Sequence, residues 1–178
     1  MFAVIVTGPP GAGKSTVATA VHDRLGDAGV ANALMEVDEL ERCYPPLDEQ
    51  HLFANLATIC AAYREVGHDL MFVTATVEHD AYGERLLAAV GADAHLLVRL
   101  DAEPATLESR IRAREPAGWS GLEELVESSA RLATELRGLG GVGLVLSTER
   151  ATPDEVAARI EAAIGAARTG GVPPTPGR

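Results

Sequence analysis

Gly8-Pro9-Pro10-Gly11-Ala12-Gly13-Lys14-Ser15-Thr16 is a full match to G-x-x-x-x-G-K-[ST], and its lysine is the only one in a chain of 178 residues. Every other strongly basic residue is an arginine. A composition that otherwise avoids lysine keeps one where a compact, flexible ammonium must reach the outer phosphates of a nucleotide, a task poorly suited to a planar guanidinium. Upstream, Phe2-Ala3-Val4-Ile5-Val6-Thr7 is a continuous apolar, β-branched run, the pattern of a strand buried on both faces. Downstream the period changes, and Val17, Ala18, Val21 and Leu25 share one helical face. Strand, glycine-rich turn and helix, in that order, are what a phosphate-binding loop requires. Gly8, Gly11 and Gly13, with Ala12 between them, let backbone N–H groups turn inward. The helix start at Lys14, Ser15 and Thr16 adds unpaired N–H groups and a positive dipole end. Lys14 is expected at an exposed loop end, and Ser15 is expected to offer its hydroxyl to Mg²⁺. A glycine-rich turn that merely caps a helix is the plainer alternative.

The length fits one domain, large enough to bury around 70% of the surface its unfolded chain exposes. A formal net charge of −11 argues against nucleic acid or an anionic membrane as partner, since both need a basic footprint. Cys43 and Cys60 form no C-x-x-C pair in a chain rich enough in apolar residues to fold without disulfides, so a reducing, cytoplasmic setting is expected. The five histidines lack H-x-x-x-H spacing, which disfavours zinc. Neither a leader peptide nor a membrane span is expected, because no basic stretch precedes an apolar one and no apolar run reaches membrane length.

Five apolar runs, at 2–7, 33–37, 70–77, 94–100 and 142–147, alternate with helical patterns and predict a parallel sheet in a three-layer α/β/α sandwich. Leu52, Phe53, Leu56, Ile59, Cys60 and Tyr63 mark one helical face; Leu122, Leu125, Val126, Ala133 and Leu136 mark another. Thr152-Pro153-Asp154-Glu155 reads as a helix start, with threonine at the N-cap, proline at N1 and glutamate at N3. Residues 1–168 are expected to form the domain, and 169–178 a disordered tail.

Strand, GPPGAGKST, helix, a second strand ending near an aspartate and an arginine-rich stretch after the fourth strand together resemble the P-loop small-molecule and nucleotide kinase superfamily. Glu36-Val37-Asp38-Glu39-Leu40 followed by Tyr44-Pro45-Pro46 is similar to chloramphenicol phosphotransferase-like kinases, and the C-terminal strand and helix are similar to adenylylsulfate kinases. The long basic signature that adenylylsulfate kinases carry after strand four is missing here. The resemblance implies a P-loop NTPase fold with strand order 2-3-1-4-5, and ATP and Mg²⁺ bound at the carboxyl ends of the strands.

It also implies that Asp38 orients or deprotonates an acceptor hydroxyl, in the position where ligands of parallel sheets bind. Asp38-Glu39-Leu40-Glu41 fits a capping box equally, with Asp38 at the N-cap. In Arg110-Ile111-Arg112-Ala113-Arg114, the outer arginines share a helical face. The resemblance makes Arg110 a stacking residue on adenine and Arg114 a contact to the transferring phosphate; a solvated face paired to Glu108 and Glu115 is the alternative. The run 70–77 does not end in the aspartate that many phosphate-loop ATPases use to hold Mg²⁺. Thr74 and Thr76 are candidates to line the acceptor site, and Trp119 is a candidate to close over it.

These readings converge on an Mg²⁺-dependent kinase that phosphorylates a small-molecule hydroxyl from ATP. A nucleoside monophosphate kinase is the alternative, disfavoured because Arg42, Arg64 and Arg85 are scattered. A nucleotide-dependent switch is the alternative outside enzymology. Asp38, Glu39, the 42–48 segment, Glu78 and Asp80 bring several carboxylates and one arginine to the acceptor side, which favours a neutral or cationic alcohol.

Overall fold

In a computed structural model describing residues 1–168, the predicted alternation of strands and helices is realised. Strands β1 (Phe2–Thr7), β2 (Asn32–Glu36), β3 (Leu70–Thr74), β4 (Ala94–Asp101) and β5 (Val142–Ser147) pair in parallel, in the order β2-β3-β1-β4-β5. The helices are α1 (Lys14–Asp27), the short α2 (Val37–Leu40), α3 (Glu49–Glu65), α4 (Asp80–Val90), α5 (Pro104–Arg114), α6 (Leu122–Glu135) and α7 (Pro153–Arg168). The tail expected at 169–178 lies outside the described residues.

β1 is buried along its whole length, which explains why its sequence is continuously apolar rather than alternating. Phe2, Val4 and Val6 face a core closed by Val17, Val21 and Leu25 of α1 and Ile160 of α7. Ala3 and Ile5 face the opposite core, closed by Leu56 and Cys60 of α3 and Leu86 of α4. Helices therefore cover both faces, giving three layers. Each fully buried aliphatic or aromatic side chain contributes roughly 1.5–3 kcal/mol, so no single contact decides the fold.

In this order the chain leaves β1 toward β2 and β3 on one side and returns to β4 on the other. That reversal opens a crevice at the carboxyl end of β1, where open parallel sheets bind ligands. The phosphate loop is the segment emerging there. The start of α7 is the expected capping box: Glu155 N–H donates to Thr152 Oγ1 at 3.3 Å and Thr152 N–H to Glu155 Oε2 at 2.8 Å.

Two strand ends differ from expectation. β3 ends at Thr74, and residues 75–77 leave the sheet but keep extended bonds to β1: Ala75 N–H to Val6 carbonyl at 3.2 Å and Val77 N–H to Thr7 Oγ1 at 2.9 Å. β2 ends at Glu36, and Asp38 sits one residue into α2. The N-cap of α2 is Glu36, without a side-chain cap bond, so the capping box centred on Asp38 is not formed. Among the described residues, no helix is long and apolar enough to cross a membrane.

Candidate active site

The phosphate loop approaches neighbouring backbone too closely for side chains at two of its glycines. Gly8 has φ +155°, and a Cβ there would lie 2.7 Å from the Leu100 carbonyl oxygen; at Gly11, φ +83°, it would lie 2.9 Å from that of Leu107. The loop turns through an Ala12 N–H bond to the Pro9 carbonyl at 3.1 Å and then enters α1. Helix α1 has no side-chain cap at Gly13 and no acidic residue in its first turn, leaving its leading N–H groups and positive dipole end to an anion. Lys14, the first residue of α1, is half-buried rather than exposed as expected. Its Nζ donates to the Gly8 carbonyl at 3.0 Å. Burial lowers the pKa of its ammonium, Asp38 opposes that, Arg114 reinforces it, and Glu36 opposes it again. The Ser15 hydroxyl donates to the Glu36 carboxylate at the tip of β2.

Distant elements hold the loop in place. Arg110 of α5 donates to the Thr148 hydroxyl at 2.9 Å, to the Thr148 carbonyl at 2.7 Å and to the Gly11 carbonyl at 3.3 Å, while Thr148 Oγ1 donates to the Ala12 carbonyl at 3.1 Å. Ser129 of α6 donates to the Pro10 carbonyl at 2.7 Å. The solvated-face pairing holds for Arg112, which pairs with Glu108 and Glu123, and in part for the exposed Arg114. Arg114 pairs with Glu115 at 2.7 Å and also reaches the loop cavity.

Three adjoining cavities follow the loop. The first, about 320 Å³, is a largely apolar slot between Val17, Ala151, Pro153 and Val156, with Arg110 and Thr148 at its wall. The second, about 190 Å³, lies over Lys14, Ser15 and Thr16 and shares Gly11, Gly13, Thr16 and Arg114 with the first. The third, about 340 Å³, shares Pro10, Asp38 and Thr76 with the second and adds Glu41, Glu78, His79 and Tyr82. An apolar slot, a cationic cradle and an acidic chamber thus stand in series across one loop.

Lys14, Ser15, Thr16, Asp38, Arg110 and Arg114 all line this series, as do Gly11, Ala12 and Gly13; Gly8 supports Lys14 from below. Thr76 also lines it, whereas Thr74 is buried in β3. Glu39 does not line the chamber with Asp38: it pairs with Arg42 and borders a groove on the β2 edge. Asp80 accepts the Gly140 N–H at 2.9 Å, away from the loop. Helical geometry explains the exchange, since Glu41 lies three residues after Asp38 and returns to its face, while Glu39 points elsewhere. Trp119 packs over Gly121 and is not part of the cavity walls. Thr148 and Ser129 carry no motif, and Glu36, though it opens the segment that holds Asp38, has no assigned role in sequence; all three emerge from their contacts.

A family model described as an AAA domain matches residues 4–134, nearly three quarters of the chain. The adenylyl-sulfate kinase of Paraburkholderia xenovorans (strain LB400) is 30% identical over 144 residues, covering 74% of this chain and 79% of that protein. The chain belongs to the P-loop kinase superfamily. Two solved structures carry the same fold. A sugar kinase from Janibacter sp. HTCC2649 superposes with a TM-score of 0.69 at 21% identity, covering 96% of this chain and 98% of its own. An APS kinase from Mycobacterium tuberculosis, in complex with AMPPNP and APS, superposes with a TM-score of 0.56 at 19% identity, covering 89% and 94%. In this P-loop kinase the loop follows the central strand of an all-parallel sheet.

Proposed function

We propose that this P-loop kinase transfers the γ-phosphoryl group of ATP to a hydroxyl of a small molecule, with Mg²⁺, in a cytoplasmic setting where both cysteines stay reduced. The observation that carries the reading is the continuity of the three cavities across the phosphate loop, with Asp38, Lys14 and Arg114 all lining the middle one. The apolar slot suits a purine stacked against the Arg110 guanidinium, which its bonds to Thr148 hold in one plane. The loop N–H groups and Lys14 take the β- and γ-phosphates. An acceptor in the third cavity presents its hydroxyl beside Asp38.

The acceptor oxygen forms its bond to the γ-phosphorus in line as the bond from that phosphorus to the β-bridging oxygen breaks. ADP leaves, and the hydroxyl proton passes to the Asp38 carboxylate. Lys14 and Arg114 stabilise the charge on the equatorial oxygens. The Ser15 hydroxyl and the Glu36 carboxylate, in contact with each other beside the loop, are hard oxygen donors that fit Mg²⁺ and would hold it there. The chemistry such an ion would supply is neutralisation of phosphate charge. Glu36 occupies the tip of β2, next to the β3 position where many relatives of this fold place an aspartate, so it compensates for the carboxylate that β3 lacks.

Incubation with γ-labelled ATP and a panel of unphosphorylated sugars, amino acids, nucleosides and antibiotics tests the reading. Label should appear on an alcohol in step with ADP; acceptor-independent hydrolysis alone would point to a switch, and preferred labelling of nucleoside monophosphates to the nucleotide-kinase alternative. In the same assay Arg114→Ala should lower the transfer rate by about tenfold or more, the range for losing a charge-assisted phosphate contact, at nearly unchanged ATP affinity. Arg110→Ala should chiefly weaken ATP binding, since it removes a wall of the slot and unfastens the loop from Thr148. Equal, negligible effects of both would remove these arginines from the mechanism.

A further inference from the structure

The third cavity has a composition that selects among acceptors. Asp38, Glu41 and Glu78 face it, together with His79, Tyr82 and the Ser128 and Thr76 hydroxyls. Among the described residues no arginine or lysine lines it: Arg42 pairs with Glu39, Arg85 pairs with Glu49 while lying over Phe53, and Lys14 and Arg114 meet only its Asp38, from the adjoining cavity. Three carboxylates therefore share a chamber with no cationic partner in its wall. Burial first, then Glu41, Glu49 and Asp38, push the pKa of the Tyr82 phenol up to about 12, with Arg85 opposing. Burial and the Asp38 charge likewise raise the Glu41 carboxyl above the ordinary carboxylate range.

A neutral acceptor filling this chamber would strip water from these carboxylates and offer them only neutral hydroxyl donors in return, and an anionic one would add repulsion. A ligand cation reverses both terms. The His79 ring adds orientation. Its Nδ1 accepts the Tyr82 N–H at 3.1 Å, which places the ring proton of the neutral side chain on Nε2, as a donor. The chamber thus offers carboxylates for an ammonium and a ring N–H for a hydroxyl oxygen, within a volume at the small end of ligand sites.

We infer that the phosphoryl acceptor is a small hydroxyl compound bearing a protonated amine, with its ammonium held by Glu41 and Glu78 and its reacting hydroxyl directed at Asp38. The inference rests on the kinase reading above, in which this cavity is the acceptor site; the charge of its wall decides the class of molecule, not the existence of the site.

Matched monosaccharides test it: glucosamine, glucose and gluconate, each titrated by ligand-detected NMR into the full-length protein with AMPPNP and Mg²⁺, and each offered as acceptor with labelled ATP. The amine should bind about tenfold to a hundredfold more tightly than its neutral counterpart, the range for hydrogen bonds to a charged group, and the carboxylate most weakly. The preference should collapse in Glu41→Gln combined with Glu78→Gln, whose thermal melting reports that the fold is kept. Equal binding of the three classes, including binding of none, overturns the inference, as does an amine preference that survives the double substitution. Failure of the kinase reading has a separate signature: no label transfer to any acceptor in the panel. Transfer to neutral alcohols with no advantage for amines removes only the present inference.

Discussion

Replacement of Lys14 by alanine is expected to lower phosphoryl transfer by hundreds-fold, the loss of about 3–4 kcal/mol that follows removal of one preorganised electrostatic donor. The ammonium already lies in the loop, held at 3.0 Å by the Gly8 carbonyl and partly desolvated, so it need not be gathered from solvent as charge develops. Arginine should substitute poorly. Its wide, planar fork does not fit the space between Gly8 and the loop cavity that a single point charge occupies. Stability should change little, because alanine is a good helix former at the first position of α1 and, among the described residues, the side-chain bond lost is the one to Gly8. Steady-state kinetics with ATP, together with a melting curve, check both parts. Turnover within about threefold of the unmodified protein would overturn the phosphate-loop role, given the size of effect such donors have.

Asp38→Asn is expected to lower the transfer rate by about a hundredfold to ten-thousandfold, the span attributed to general base catalysis, while ATP affinity changes little. In the proposed mechanism the loop and α5 grip the nucleotide, and Asp38, which lines both the second and third cavities, meets only the acceptor and the transferring phosphate. The asparagine keeps the shape of the side chain and loses the lone pair that takes the proton. Since Asp38 makes no cap bond to α2, the melting temperature should hold. A drop in melting temperature with transfer unchanged would assign Asp38 to the local fold instead. The kcat for the acceptor reaction, set beside the Kd for AMPPNP, separates these outcomes.

The elements legible in the chain are those written in short-range pattern. The continuous apolar run of β1, the glycines demanded by positive φ and close backbone approach, and the i, i+3, i+4 stripe of α1 each depend on residues a few places apart, so periodicity and backbone sterics reveal them. The capping box of α7 was readable for the same reason. Strand order came with the family resemblance and agrees with the sheet.

Partnership across the fold was not written locally. Thr148 meets the loop from 136 residues away, and Ser129 from 119. Asp38 retained two readings in sequence because a capping box and a catalytic carboxylate share one pattern; the path of the chain leaving β2 puts the N-cap at Glu36 and removes the first. The acidic chamber likewise depended on which face of the short α2 turned toward α4 and α6. That choice brought Glu41, Tyr82 and His79 to the site and sent Glu39 and Asp80 to other contacts. The sequence by itself determined the strand–loop–helix that binds phosphate, since backbone conformation is set by neighbouring residues. The tertiary structure alone decided the walls around it, because side-chain partners are set by how helices pack on the two faces of the sheet.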